Sequence, residues 1–351
     1  MTPRKNLLVF NYCMDLEDPL LSHQVESVNE LSKYFVKVTV ITGRVGLHEV
    51  SGNVRVLSSD WTPGNPIKSG VRFVLLASSV IRRNRNIVVF SHMTEVQSAM
   101  LAIPLRILGI SHYLWYAHAQ KSLFLIINHF FANGIITSTK GSCPISSNKV
   151  FPVGQAINVD NFKISNKKLK KAKSLVHIGR FDQSKDIHGI IDAVNKVMVR
   201  NHLELTFTQI GSPTTEVARA YCEQTHQKFA SQIEEGWLKL QPSILRSEVP
   251  STLSNYDAFT HAYKGSLDKS IVEATLVGIP VLTTNPEYLA IFGSWSRRQQ
   301  DSVTLENEIE SYIGTKQADI ENEIIRRRLI ALQEHSLKNW GLQISRILPQ
   351  N

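Results

Sequence analysis

The chain has 351 residues, 42% of them hydrophobic, and a formal net charge of +9. This length is too great for one comfortable core and suits two domains; the hydrophobic share excludes a largely disordered chain, and no window offers the roughly 18 uninterrupted apolar residues of a membrane span. The positive charge implies attraction to something anionic, with nucleic acid, an anionic membrane surface and a phosphorylated substrate all open.

In chain order, residues 1–15 have a basic start but an apolar run too short for a signal-peptide core, and read as leading into a first strand. Strand patterns cover 6–12, 37–42, 87–92, 113–118 and 134–139. Helical patterns lie between them, as at 23–35, where Val25, Val28, Leu31 and Phe35 recur at helical spacing. Residues 71–85 and 100–109 each join an apolar run to basic residues, Pro104 and Arg106 interrupting the latter. They read either as core helices with solvated basic ends or as segments resting on an anionic bilayer. After the lysine-rich stretch 166–173, a natural linker, come strands at 174–179, 203–211, 257–263 and 280–284. Helices are expected over 187–199, 217–233 and 267–277, and from Asp319 to the end. Alternation of this kind predicts an α/β protein with two Rossmann-like, doubly wound parallel sheets. Their strand ends would face a ligand cleft. Cys13, Cys143 and Cys222 are far apart and fit a reduced cytoplasmic protein with unpaired thiols.

Two stretches combine a strand end, a turn of small residues and charge. In HIGRFDQSKDI (177–187), Gly179 ends a strand, Arg180 follows and Lys185 precedes a helix. A rigid guanidinium and a compact ammonium suit a diphosphate, although solvated loop residues give the same pattern. In KGSLDKSIVEATLVGIPV (264–281), Gly265 and Ser266 lead into a helix whose first amides favour an anion. Glu273 lies two turns in, among Val272 and Ala274, where a carboxylate needs a partner. It could accept hydrogen bonds from ribose hydroxyls.

GRFDQSKD (179–186) and GSLDKSIVEATLVGIPVLTT (265–284) together resemble the retaining glycosyltransferases of family 4. IGSP (210–213), VPSTLSNYDAFTHAY (249–263) and GQAINVDNF (154–162) extend the likeness, which is good over the second domain and loose over the first. The resemblance implies a GT-B fold, with an acceptor domain at 1–165, a nucleotide-sugar donor domain at 166–330 and a final helix, 331–351, returning to the first. It implies transfer of a hexose from a UDP- or GDP-sugar to a glycan or lipid-linked acceptor, with retention and without a metal. No Asp-x-Asp motif is present.

For the donor, the resemblance implies Gly179, Arg180, Lys185, Gly211, Gly265, Ser266, Leu267, Lys269 and Glu273, with Glu273 on the ribose. Many members carry a second glutamate where this chain has Gly265; a subgroup has a Gly-Ser-Leu-Asp-Lys loop, and either Asp268 or Lys269 takes over its contacts. His118, in WYAHAQKS (115–122), resembles a family histidine that faces the transferred sugar, against the alternative of a packed histidine. The loop 13–24 lacks the glycines usual there. His23 either contacts acceptor or phosphate or caps its helix, and His92 is a further acceptor candidate. A nucleotide-sugar epimerase and a non-catalytic nucleotide or polyanion binder are the rival readings. No aromatic-basic module supports nucleic acid, and no Gly-x-Gly-x-x-Gly follows the first strand to support a dehydrogenase.

Overall fold

A computed structural model describes residues 5–18, 20–61, 64–84, 86–164, 172–296 and 303–349. The expected linker lies outside them up to residue 171, as does Arg85 of the basic cluster. The chain divides into two compact units, one of residues 1–158 with 334–351 and the other of 159–333, where the sequence placed the boundaries at 165 and 330.

The first unit is built on the strands β1 (Asn6–Met14), β2 (Val38–Val45), β3 (Val54–Ser58), β4 (Ile87–His92), β5 (His112–Trp115), β6 (Gly134–Thr137) and β7 (Val150–Pro152). They form a parallel sheet in the order β3-β2-β1-β4-β5-β6-β7. Alternate residues of β1 feed opposite faces. Leu7 and Val9 pack with Val25, Val28 and Leu31 of the helix His23–Ser32 and with Trp340 and Ile344 of the helix Leu337–Ile347. Leu8 and Phe10 pack instead with Phe73, Ala77 and Leu101, from the helices Pro66–Arg83 and Glu95–Ile107.

The second unit carries β8 (Ser174–Ile178), β9 (Thr206–Ile210), β10 (Leu238–Gln241), β11 (Ala258–His261) and β12 (Val281–Thr283), parallel in the order β10-β9-β8-β11-β12. The strands stay parallel, but the order in which they are added changes sense between β1 and β4 in one sheet and between β8 and β11 in the other. At such switch points the connections diverge and leave a crevice at the carboxyl ends.

The expected central strands are present, but β3, β7 and β10 are additions, and all three are sheet edges with half-exposed residues. The helix expected from Asp319 to the end is broken into Gln317–Glu334 and Leu337–Ile347. At the break, Ser336 caps the second helix and Leu337 N–H donates to Ile157 O at 2.7 Å. The 217–233 segment likewise divides, into Glu216–Lys228 and Ala230–Glu234.

Burial pushes His112 and His177 down to about 3 and His335 down to about 4. These rings fold neutral, whereas the unfolded chain titrates them near 6.5, so stability is full above that pH and falls as acid protonates the unfolded state. The unfolding free energy should decline below pH 6.5 by about 1.4 kcal/mol per pH unit for each such histidine. Urea denaturation between pH 8 and 4.5 checks this: His112→Gln should flatten the decline, and a flat wild-type profile would contradict it.

Candidate functional site

At the switch point of the second unit, the loops leaving β8 and β11 meet. Gly179 follows β8, and Gly211 follows β9 with φ +154°. A Cβ on Gly211 would lie 1.8 Å from Gly179 O, so only glycine allows these two strand ends to pack backbone to backbone. Arg180 is exposed just beyond. The turn Gln183–Lys185 is shaped at both ends by carboxylates: Asp182 accepts from Ser184 N–H, and Asp186, left-handed at φ 51°, accepts from Gly189 N–H and caps the helix Ile187–Asn201. This local chemistry turns Lys185 inward.

Lys185 is buried and donates from Nζ to Asp268 Oδ2 at 2.5 Å, with Nζ 4.2 Å from the centroid of the Tyr263 ring. Asp268 Oδ2 also accepts from His261 Nε2 at 3.0 Å, and His261 Nδ1 lies 3.1 Å from Thr283 Oγ1. Nε2 therefore carries the ring proton when His261 is neutral, with the threonine hydroxyl donating to Nδ1. Burial opposes the charge on Asp268. The His261 hydrogen bond and the Lys185 ammonium outweigh it and hold the carboxyl below the ordinary carboxylate range. Burial also lowers His261, only partly offset by Asp268.

Asp268 stands at the N-cap of the helix Lys269–Val277 without a side-chain capping bond, because its carboxylate is turned to Lys185 and His261. Ahead of it, the side chain of Asn285 donates to the carbonyls of Tyr263, Gly265 and Ser266 at 2.8, 3.2 and 3.2 Å. Ser266 and Leu267 are buried. A Cβ on Gly265 would lie 2.0 Å from the Tyr263 hydroxyl.

Glu273 is 1% exposed. Both its oxygens accept from Arg246, one from Nη1 at 2.8 Å and the other from Nη2. Arg246 comes from the turn Arg246–Glu248 and lies over the Phe162 ring, 5.6 Å from its centroid. Of the sequence candidates, the fold thus brings Lys185 and Asp268 into contact, with Gly179 and Arg180 on the same loop as Lys185. Glu273 lies farther along the helix that Asp268 begins.

At the first unit's switch point the glycine-free loop 13–24 is held by side chains instead. Asp18 accepts from Leu20 and Leu21 N–H and pairs with Arg44, while Gln24 Oε1 accepts from Cys13 N–H. His23 begins its helix with Nδ1 3.1 Å from Leu20 O. Its ring lies 6.3 Å from His92, which is buried among Phe90, Trp115 and Trp340. His118 is exposed in the loop after β5, its ring edge-on to Tyr116.

No family model and no curated protein matches the sequence. Solved structures match over the whole length. HepE of Anabaena, in complex with UDP-glucose, gives a TM-score of 0.73 at 14% identity, covering 98% of this chain and 99% of its own. Sucrose-phosphate synthase from Thermosynechococcus elongatus gives 0.73 at 12% identity, covering 98% of each chain. The lipopolysaccharide outer core galactosyltransferase WaaB gives 0.67 at 10% identity, covering 97% and 99%. The chain has the GT-B fold.

Within this GT-B chain, Arg246, His261 and Asp18 are the site-forming residues that sequence reasoning passed over. The need of Glu273 for a cation was legible, but nothing in the spacing singles out Arg246 in a loop ahead of β11. Arg246→Ala leaves a buried carboxylate unpaired and should lower the unfolding free energy by about 2–3 kcal/mol, at the lower end for a partly exposed partner. Arg246→Ala with Glu273→Gln should recover at least half of that loss in urea melts. Equal losses in the single and double variants would show that the pair is not what stabilises this helix.

Proposed function

We propose that this chain is a retaining glycosyltransferase that moves a hexose from a nucleotide-diphosphate sugar to a glycan or lipid-linked acceptor, in the cytoplasm and in surface polysaccharide or glycoconjugate synthesis. One observation carries the reading: at the second unit's switch point, Arg180 and the inward-turned Lys185 share a strand-end loop, and Lys185 reaches the head of the helix that also bears Glu273. The likeness in fold to HepE, which is in complex with UDP-glucose, supports a UDP-sugar before a GDP-sugar.

In this mechanism the bond between the sugar C1 and the diphosphate oxygen breaks, and its electron pair stays on the diphosphate. The acceptor hydroxyl forms the new bond to C1 on the same face, and its proton passes to the departing phosphate oxygen. The protein's task is to stabilise charge that grows on the leaving group. Arg180 supplies a fork of donors. Lys185 has three N–H donors and gives one to Asp268, which leaves the others for phosphate oxygens. The amides at the head of the helix Lys269–Val277 add partial positive charge. These cations do the work a metal does elsewhere, so the reaction is metal-independent. Glu273 anchors the ribose: each carboxylate oxygen that accepts from Arg246 retains acceptor capacity for a hydroxyl. His118 is assigned to the transferred sugar, and His23 and His92 to the acceptor side.

One observation favours a second reading, a nucleotide binder without transferase activity. The Tyr263 hydroxyl fills the space at Gly265, where many family members carry a glutamate.

UDP should raise the melting temperature of the protein, by the equivalent of about 2.7 kcal/mol at a hundred times its dissociation constant. Arg180→Ala and Lys185→Ala should each weaken UDP binding about 10- to 100-fold, the worth of a charge-assisted hydrogen bond or two. His118→Ala should lower turnover with UDP affinity kept, EDTA should leave turnover unchanged, and NMR should find the product anomer matching the donor. Unchanged donor affinity in both Arg180→Ala and Glu273→Ala would refute the site. UDP binding without sugar release in the presence of acceptors would favour the binder.

A further inference from the structure

We propose that the helical layer formed by Pro66–Arg83, Glu95–Ile107 and Leu123–Phe131 docks on an anionic lipid bilayer. These helices cover one face of the first sheet, burying Phe73, Leu101 and Leu125 against it. They lie side by side. A Cβ on Gly70 would lie 2.8 Å from Met100 Cε, and Asn128 Nδ2 donates to Glu95 O at 3.0 Å. On their outer side each exposes an apolar stripe at helical spacing: Ile67, Val71 and Leu75; Met100, Ile103 and Ile107; Leu123, Ile126 and Phe130. Ile67, Ile107 and Phe130 are 82, 78 and 75% exposed, values normal for charged side chains rather than for large apolar ones. Among the described residues, the helices His23–Ser32 and Leu337–Ile347 on the opposite face expose no such stripe, and Trp340 and Ile344 pack into the core with Val25, Val28 and Leu31.

Charge selects the occupant. Between Asp60 and Asp160 the sequence holds nine Lys and Arg and a single acidic residue, Glu95, so nearly all of the net charge of +9 falls there. Glu95 accepts from Ser122 Oγ at 2.7 Å, and Arg72 pairs with Asp60 at 2.5 Å. Lys68, Arg72, Arg82, Arg83, Arg106 and Lys121 are all exposed on or beside the apolar stripes. Apolar side chains flanked by Lys and Arg match the acyl boundary and headgroups of an anionic membrane, whereas a neutral partner would leave the basic residues unanswered. No helix among the described residues is long and apolar enough to cross a membrane, so the contact is peripheral. The inference stands whether or not the second unit takes a nucleotide sugar.

Flotation of the full chain with vesicles tests it. In 0.1 M NaCl, partitioning should rise at least 25-fold from phosphatidylcholine vesicles to vesicles containing phosphatidylglycerol, since each basic side chain at the surface is worth roughly fivefold. Partitioning should drop in 0.5 M NaCl. Ile107→Glu with Phe130→Glu should lose at least about tenfold while keeping the wild-type melting temperature. If that variant fails to fold, Arg82→Ser with Arg83→Ser and Arg106→Ser replaces it, and the anionic preference should fall by a similar factor. No flotation with anionic vesicles, or undiminished flotation of a folded variant, overturns the proposal. So does a dimer in sedimentation velocity that the apolar variant dissociates, which would make the occupant a second copy of the chain.

Discussion

Two carboxylates borne by one short stretch, Asp268 and Glu273, organise the carboxyl edge of the second unit. Each is drawn away from water and paired with a cation from a different loop, Lys185 for Asp268 and Arg246 for Glu273. Asp268 holds the loop after β8 through Lys185 and the end of β11 through His261. Glu273 holds the 246 turn through Arg246. Two loops and the end of β11 are thereby tied to the helix Lys269–Val277, whose remaining buried residues, from Ile271 to Val277, fix it in the core. The electrostatic need of two side chains, more than loop length or glycine content, sets where the edge residues stand.

The same economy explains Gly265. In the family that the sequence resembles, many members carry a glutamate at the matching position; here Tyr263 folds back over Gly265, and Asn285 gathers the carbonyls of residues 263, 265 and 266. A longer side chain at 265 would have to displace the tyrosine. The negative charge nearest Lys185 instead comes from Asp268, at the N-cap. Of the two residues that the sequence left open as replacements, Asp268 is the one in contact with Lys185, while Lys269 opens the helix.

The sequence carried the fold where burial was two-sided. The central strands β1 and β4 carry long apolar runs, β8 and β11 shorter ones that are still almost wholly buried, and all four were legible. The edge strands β3, β7 and β10 were not, because their residues are only partly buried and need no pattern, whereas the edge strand β12 is buried throughout and was expected. The break at residues 335–336 was hidden for a related reason: both flanking segments are good helices, and the stop comes from backbone pairing with Ile157. For the site, Glu273 among apolar neighbours announced its own burial. Its partner did not, since an arginine in a polar loop looks solvated until the fold brings a carboxylate to it. Asp18 escaped notice likewise, its work being to knit a loop that lacks the glycines usual in the resembled family.

The positive charge of the chain thus belongs to two different physical settings. On the first unit it is a surface property, spread over exposed Lys and Arg and screened by salt. Lys185 is different: it is buried and already neutralised by Asp268, so it does not act as a general anion sink. A monoanion offers Lys185 no more than Asp268 already provides. A diphosphate offers more charge and several acceptor oxygens, which Arg180 and the helix amides can engage at the same time. In the proposed donor site the ion pair would set a threshold that carboxylates and chloride fall below, one that a ligand with two linked phosphates would clear without Asp268 having to leave.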